Sequence, residues 1–162
     1  MPANAEQLVV DSGPLIALAR MDALGVVGAL PLDLICPREV RVELDAGARQ
    51  GYPKVEPRWL QVVELQSPPA PLAVASLDVA EAAVIQLALE RGIERVCIDE
   101  TKGRRLAISV GLKVTGSLGL LLLAKIEGVV PLLRPIIRRG LDAGVWYDQE
   151  LIRRLLREAG EE

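Results

Sequence analysis

Residues 6–20 read EQLVVDSGPLIALAR, and this stretch decides the fold. The apolar run Leu8-Val9-Val10 stops at Asp11, Ser12-Gly13-Pro14 punctuate the chain, and a second apolar segment begins. That pattern predicts a strand over 7–11 and a helix from about Gly13 to Ala19. Ser12 is the expected N-cap, with Pro14 tolerated in the first turn. The same grammar returns in ERVCIDETKGRRLAISVG, residues 94–111, where Asp99 closes an apolar run just before a helix.

Outward from these two stretches, short strands are predicted in LDLICP (32–37), LQVVELQ (60–66) and LKVTG (112–116). Helices are predicted around 23–30, over REVRVELDAG (38–47) ending at Gly47, over 77–92 and 101–111, over 117–128, and over 148–160 with Asp148 as cap. Residues 129–144 read as helical with a kink or break at Pro135. SPPAP at 67–71 is a surface loop rather than a domain boundary, because too little chain lies on either side for two cores. Strands alternating with helices predict an α/β fold with a mostly parallel central sheet and helices on both faces. A length of 162 residues suits one domain, 1–162, with a sizeable core.

Composition narrows the chemistry. With no Phe and only 2% aromatics, the core must be built from Leu, Val, Ile and Ala, which suits parallel strands buried on both faces. The absence of His removes Ser-His-Asp and Cys-His catalysis, imidazole general bases and His-ligated metals. Cys36 and Cys97 are too few for a site of four thiolates and read as small buried hydrophobes. No disulfide framework is implied, in keeping with a cytoplasmic location. The most apolar stretch, VTGSLGLLLLA, is bounded by Lys113 and Lys125 and is too short to span a membrane. The start, MPANAEQ, lacks the pattern of a signal peptide. A net charge of −3 argues against a dedicated DNA-binding protein but leaves room for a local basic groove.

Four acids stand out. Asp11 and Asp99 both fall where apolar strands end, the place where open α/β sheets bind ligands. If the two strands are neighbours, the carboxylates share one crevice. Either Asp alone is equally an ordinary cap or turn residue. Glu43 and Glu81 lie on helices with no basic residue at i±3 or i±4, and Glu81 sits among Ala80, Ala82 and Ala83. A carboxylate there is costly unless its charge is compensated. Asp78 and Glu81 also have capping-box spacing, a role that can coexist with metal ligation. For Glu43 a solvated helix face remains open. Acids without His, Cys or a phosphate loop suggest a hard divalent cation, Mg²⁺ or Mn²⁺, suited to activating water against a phosphodiester. There is no GxxxxGK[ST] loop and no GxGxxG after a strand. Gly13 stands where a haloacid-dehalogenase-like phosphatase would carry a second Asp, and VVDSG lacks the acidic pair of a response-regulator receiver.

These features resemble the PIN domain, the nuclease fold that includes the VapC-type toxins. VVDSGPLIALA resembles its opening segment, and CPREVRVEL resembles the helix carrying a second acid, at Glu43. LDVAEAAVIQLALERG resembles the LDxGEAxAIxLA segment of a PIN subgroup, placing the third acid at Glu81 with Asp78 beside it. VCIDETKGRRLAISVGLKVTGSLGLLLLAKIEG places the fourth at Asp99, and the ending GVWYDQELIRRLLREAGE also resembles that subgroup. Ala80 replaces a usual Gly, Glu100 replaces a second Asp, and Ser117 stands where Thr is common. The resemblance implies a three-layer α/β/α sandwich and a Mg²⁺- or Mn²⁺-dependent ribonuclease. It further implies homodimers and, in many relatives, an inhibitory antitoxin protein. Asp11, Glu43, Glu81 and Asp99 are then the catalytic metal ligands, with Ser12, Asp78 and Glu100 auxiliary. Lys102, Arg104 and Arg105 follow Asp99 and are either contacts for the RNA backbone or a solvated first turn. The competing interpretation is a non-catalytic PIN-like module that binds RNA or a partner protein.

Overall fold

The computed structural model describes residues 5–162, and the first four residues of the MPANAEQ start lie outside the described residues. Strand β1 (Glu6–Val10) is followed by α1 (Ser12–Arg20), α2 (Leu24–Gly28), β2 (Leu32–Pro37) and α3 (Arg38–Arg49). Strand β3 (Gln61–Val63), α4 (Pro71–Ser76), α5 (Val79–Arg91), β4 (Arg95–Cys97) and α6 (Thr101–Ser109) come next. The chain closes with β5 (Lys113–Thr115), α7 (Ser117–Ile126), α8 (Arg134–Asp142) and α9 (Gln149–Glu158).

The strands form one parallel sheet in the order β3-β2-β1-β4-β5. Leu8, Val9 and Val10 are all buried, as the central strand of a sheet covered on both faces requires. Helix α5 packs on β1, β2 and β4 and touches α3, α4 and α6, while α1 touches α2, α7 and α8. The result is a three-layer α/β/α sandwich. The first half of the chain builds outward from β1 to β3, and α5 then carries the chain back so that β4 lies on the other side of β1. The switch point of the topology therefore falls between β1 and β4, and in open α/β sheets ligands bind at the carboxyl ends of the strands there. Val10 pairs with Cys97, and the Asp11 amide donates to the Cys97 carbonyl at 3.0 Å. Asp11 and Asp99 thus leave adjacent strands at nearly the same level.

Several local expectations are corrected. Asp11, not Ser12, is the N-cap of α1, and its Oδ1 accepts from the Ser12 amide at 2.8 Å. Helix α3 runs past Gly47 to Arg49. Gly47 is there for packing, since a Cβ would lie 3.0 Å from Tyr52 Cδ2, and the left-handed turn falls at Gly51, with φ 97°. Pro135 occupies the first turn of α8, where its missing amide is harmless, so it starts that helix rather than kinking it. Pro71 likewise begins the short helix α4, unforeseen because its proline-rich approach reads as loop. Both cysteines are free and buried. Asp148 caps α9 as expected, accepting from the Glu150 amide at 2.7 Å. Beyond α9, the buried Glu161 carboxylate accepts from the Leu133 and Arg134 amides and from Lys125 Nζ, which ties the C-terminus to α7 and α8. Among the described residues no helix is long and apolar enough to cross a membrane.

Candidate metal centre

Asp11 is only 5% exposed, at the carboxyl end of β1. Its pKa is pushed up to about 7, first by burial and then by the nearby charges of Asp78, Glu43 and Asp99. The single hydrogen bond from the Ser12 amide opposes this without overcoming it.

Helix α5 supplies a second buried acid. Asp78 is its N-cap and accepts from the Glu81 amide at 2.7 Å, which is half of the predicted capping box. The reciprocal bond from the Asp78 amide to the Glu81 side chain is absent among the described residues. The Glu81 side chain instead turns inward, 4% exposed, and its Oε2 has no hydrogen-bond partner. Burial, then Asp78, then the charges of Asp11 and Glu100 raise the Glu81 pKa to about 8. Oxygen atoms of Asp78, Glu81 and Glu100 all lie within 4.8 Å of one another.

Asp99 is held differently. Its Oδ1 accepts from the Ser117 amide and its Oδ2 from Ser117 Oγ, both at 2.8 Å. Gly116 permits this approach, because a Cβ there would sit 2.6 Å from Asp99 Oδ1. Arg104 Nη1 donates to the Ile98 carbonyl at 2.8 Å, so this guanidinium braces the end of the strand carrying Asp99. Lys102 and Arg105 are exposed on the first turns of α6. Glu43 is exposed on α3, and its Oε1 accepts from Ser12 Oγ at 2.6 Å, a link between the start of α1 and the second turn of α3.

The acids therefore gather at one rim in two connected groups. Asp11 feels Asp78, Glu43 and Asp99, whereas Glu81 forms the tightest group with Asp78 and Glu100. The latter two were singled out in the sequence only as auxiliary residues. Ser117 and Tyr147, whose hydroxyls lie 2.6 Å apart, carried no such assignment. The one available signal was the small hydroxyl residue that opens α7. The set fits a hard divalent cation: every donor is a carboxylate oxygen, and the orphaned Glu81 Oε2 is a buried acceptor that needs a proton or a cation.

Gly103 makes room for that acceptor. A Cβ there would lie 2.6 Å from Glu81 Oε2 and 2.9 Å from Ile98 Cγ2. Gly103→Ala is expected to weaken Mn²⁺ binding about tenfold by displacing Glu81. The crowding offsets the roughly 1 kcal/mol that Ala contributes over Gly in a helix, so Tm does not rise. Calorimetric Mn²⁺ titration and thermal melts check both outcomes.

No curated protein and no solved structure matches the chain significantly. A family model does: DUF3368, described as a PIN domain, matches residues 7–161. With its parallel sheet and the carboxylates gathered at the switch point, the chain belongs to the PIN-domain family, whose fold is of nuclease type.

Proposed function

We propose that this protein is a Mg²⁺- or Mn²⁺-dependent ribonuclease that hydrolyses RNA phosphodiester bonds. The observation that carries the proposal is the buried Glu81 carboxylate, its Oε2 unpartnered, in a rim of acids at the switch point of the sheet. Asp11, Glu43, Glu81 and Asp99 would hold the ion, with Asp78 and Glu100 completing the anionic wall. When bound, a divalent cation neutralises charge on the scissile phosphate and lowers the pKa of water at the site.

The rest of the task falls to the protein's own side chains. Ser12 Oγ fixes the Glu43 carboxylate, and the Asp11 cap bond fixes the Asp11 carboxylate before substrate arrives. Burial of Asp11 and Glu81 keeps bulk water from screening their charge. Lys102 and Arg105 are exposed three and six residues beyond Asp99 and are suited to phosphates flanking the cleaved bond. Arg104 supports the strand end from within and contributes to RNA contact only indirectly. An anionic rim on a chain of net charge −3 repels RNA until a cation is present, which makes binding and cleavage jointly metal-dependent.

The same proposal includes a homodimer and regulation by an antitoxin protein in the cytoplasm, as for VapC-like toxins. The decisive experiment incubates the purified protein with a panel of labelled single-stranded RNAs. Cleavage that requires Mg²⁺ or Mn²⁺ and stops with EDTA supports a ribonuclease. Metal-independent RNA binding with no cleavage across the panel overturns it in favour of a non-catalytic module.

A further inference from the structure

Asp99 is the one acid of the rim whose two oxygens are both engaged by the same residue. Ser117 donates its amide to Oδ1 and its hydroxyl to Oδ2. Ser117 is fully buried, and its Oγ also lies 2.6 Å from the hydroxyl of Tyr147, thirty residues further along the chain. A serine hydroxyl has one proton to give. The carboxylate can only accept, so the Ser117 proton points to Asp99, and the Tyr147 hydroxyl must donate to Ser117. Donation from the phenol removes the free rotation of the serine hydroxyl and leaves it aimed at Asp99. Burial holds the Tyr147 pKa above its ordinary value, so the phenol keeps its proton.

Tyr147 stands on the short segment between α8 and α9, between the Gly140–Val145 turn and the Asp148 cap. Its ring packs against the core while its hydroxyl reaches the start of α7. The C-terminal part of the chain, which supplies none of the acids, thus reaches the acid rim through this hydroxyl relay.

We propose that Tyr147 is a positioning residue that sets the Asp99 carboxylate through Ser117, so that cation binding depends on the C-terminal segment. The proposal rests on the metal-dependent function above only in that Asp99 serves a cation. Partners that orient metal-ligating carboxylates typically change metal affinity by about 10- to 100-fold.

The test is calorimetric titration of Mn²⁺ into wild type, Tyr147→Phe, Ser117→Ala and the double variant. Tyr147→Phe keeps the ring and removes only the hydroxyl. A roughly tenfold weaker affinity in Tyr147→Phe, absent when the change is made in the Ser117→Ala background, supports the relay. Unchanged affinity overturns it, as does an equal further loss in the Ser117→Ala background. If wild type binds no Mn²⁺, the metal-dependent function fails. The relay is then decided in the metal-free protein by the Ser117 amide proton resonance. A shift in Tyr147→Phe supports coupling to Asp99, and an unmoved resonance overturns it.

Discussion

With Asp11 replaced by Asn, Mn²⁺-dependent RNA cleavage is expected to fall on the order of 100- to 1000-fold, while the metal-free protein becomes harder to unfold. The two effects have one cause. Asp11 is buried beside Asp78, Glu43 and Asp99, an arrangement that suits a cation and is unfavourable without one. Asn keeps the shape and still caps α1 by accepting from the Ser12 amide, so the fold survives. It carries no charge, so the repulsion ends and the cation loses a ligand. Asp11→Ala separates the terms, because it also loses the cap and about 1 kcal/mol of helix stability. Cleavage of labelled RNA and metal-free melting curves of the three proteins provide the check. Full activity in Asp11→Asn would remove Asp11 from the site.

The second large effect is a pH dependence of opposite sense to ordinary acid denaturation. In the unfolded chain Asp11 and Glu81 ionise near their ordinary values of 3.8 and 4.5, whereas in the metal-free fold they hold their protons to about pH 7 and 8. Between these limits the native state binds more protons than the unfolded state, so stability declines as pH rises. It is greatest near pH 4 and levels off above about pH 8. For Asp11 alone the raised pKa corresponds to a loss on the order of 4 kcal/mol across that window, and Glu81 acts in the same direction. At roughly 2–4 °C per kcal/mol for a chain of this size, Tm falls by about 10 °C. Millimolar Mn²⁺ restores the lost stability at high pH by binding only the folded state. Glu81→Gln flattens the profile and abolishes part of the Mn²⁺ effect. A metal-free protein whose Tm climbs steadily from pH 4 to pH 8 would contradict the buried-acid picture.

Most of the fold was legible in local pattern. Leu8-Val9-Val10 before Asp11, and Val96-Cys97-Ile98 before Asp99, are strand signals with a helix start directly behind them. Such signals depend on neighbouring residues alone, which is why they survive without tertiary information. The less legible positions turn on a helix boundary or on a contact a few residues along the chain. Gly47 reads as a helix end, but the Tyr52 ring explains it. Pro135 reads as a kink or break, but it lies in the first turn of α8, where its missing amide is harmless. Arg104 reads, with Lys102 and Arg105, as an RNA-backbone contact or part of a solvated first turn, and its bond to the Ile98 carbonyl is visible only in the structure.

The sequence by itself narrowed the residue types open to catalysis in this protein. Without histidine or a thiolate cluster it leaves carboxylates, hydroxyls, Lys/Arg and backbone as the available groups, and the acids at two strand ends and on two helices suggest a hard cation. It also determined the alternation of strands and helices, because hydrophobic periodicity is a short-range property. Only the tertiary structure decided which acids meet. The return of α5 across the sheet places β4 beside β1, brings Asp99 level with Asp11, and lowers the first turn of α5 onto the same rim. It also groups Asp78 and Glu100 with Glu81, and packing elsewhere in the fold joins Ser12 to Glu43 and Tyr147 to Ser117. The path is selected by burying both faces of one sheet, a condition on the whole chain that no local stretch of residues contains.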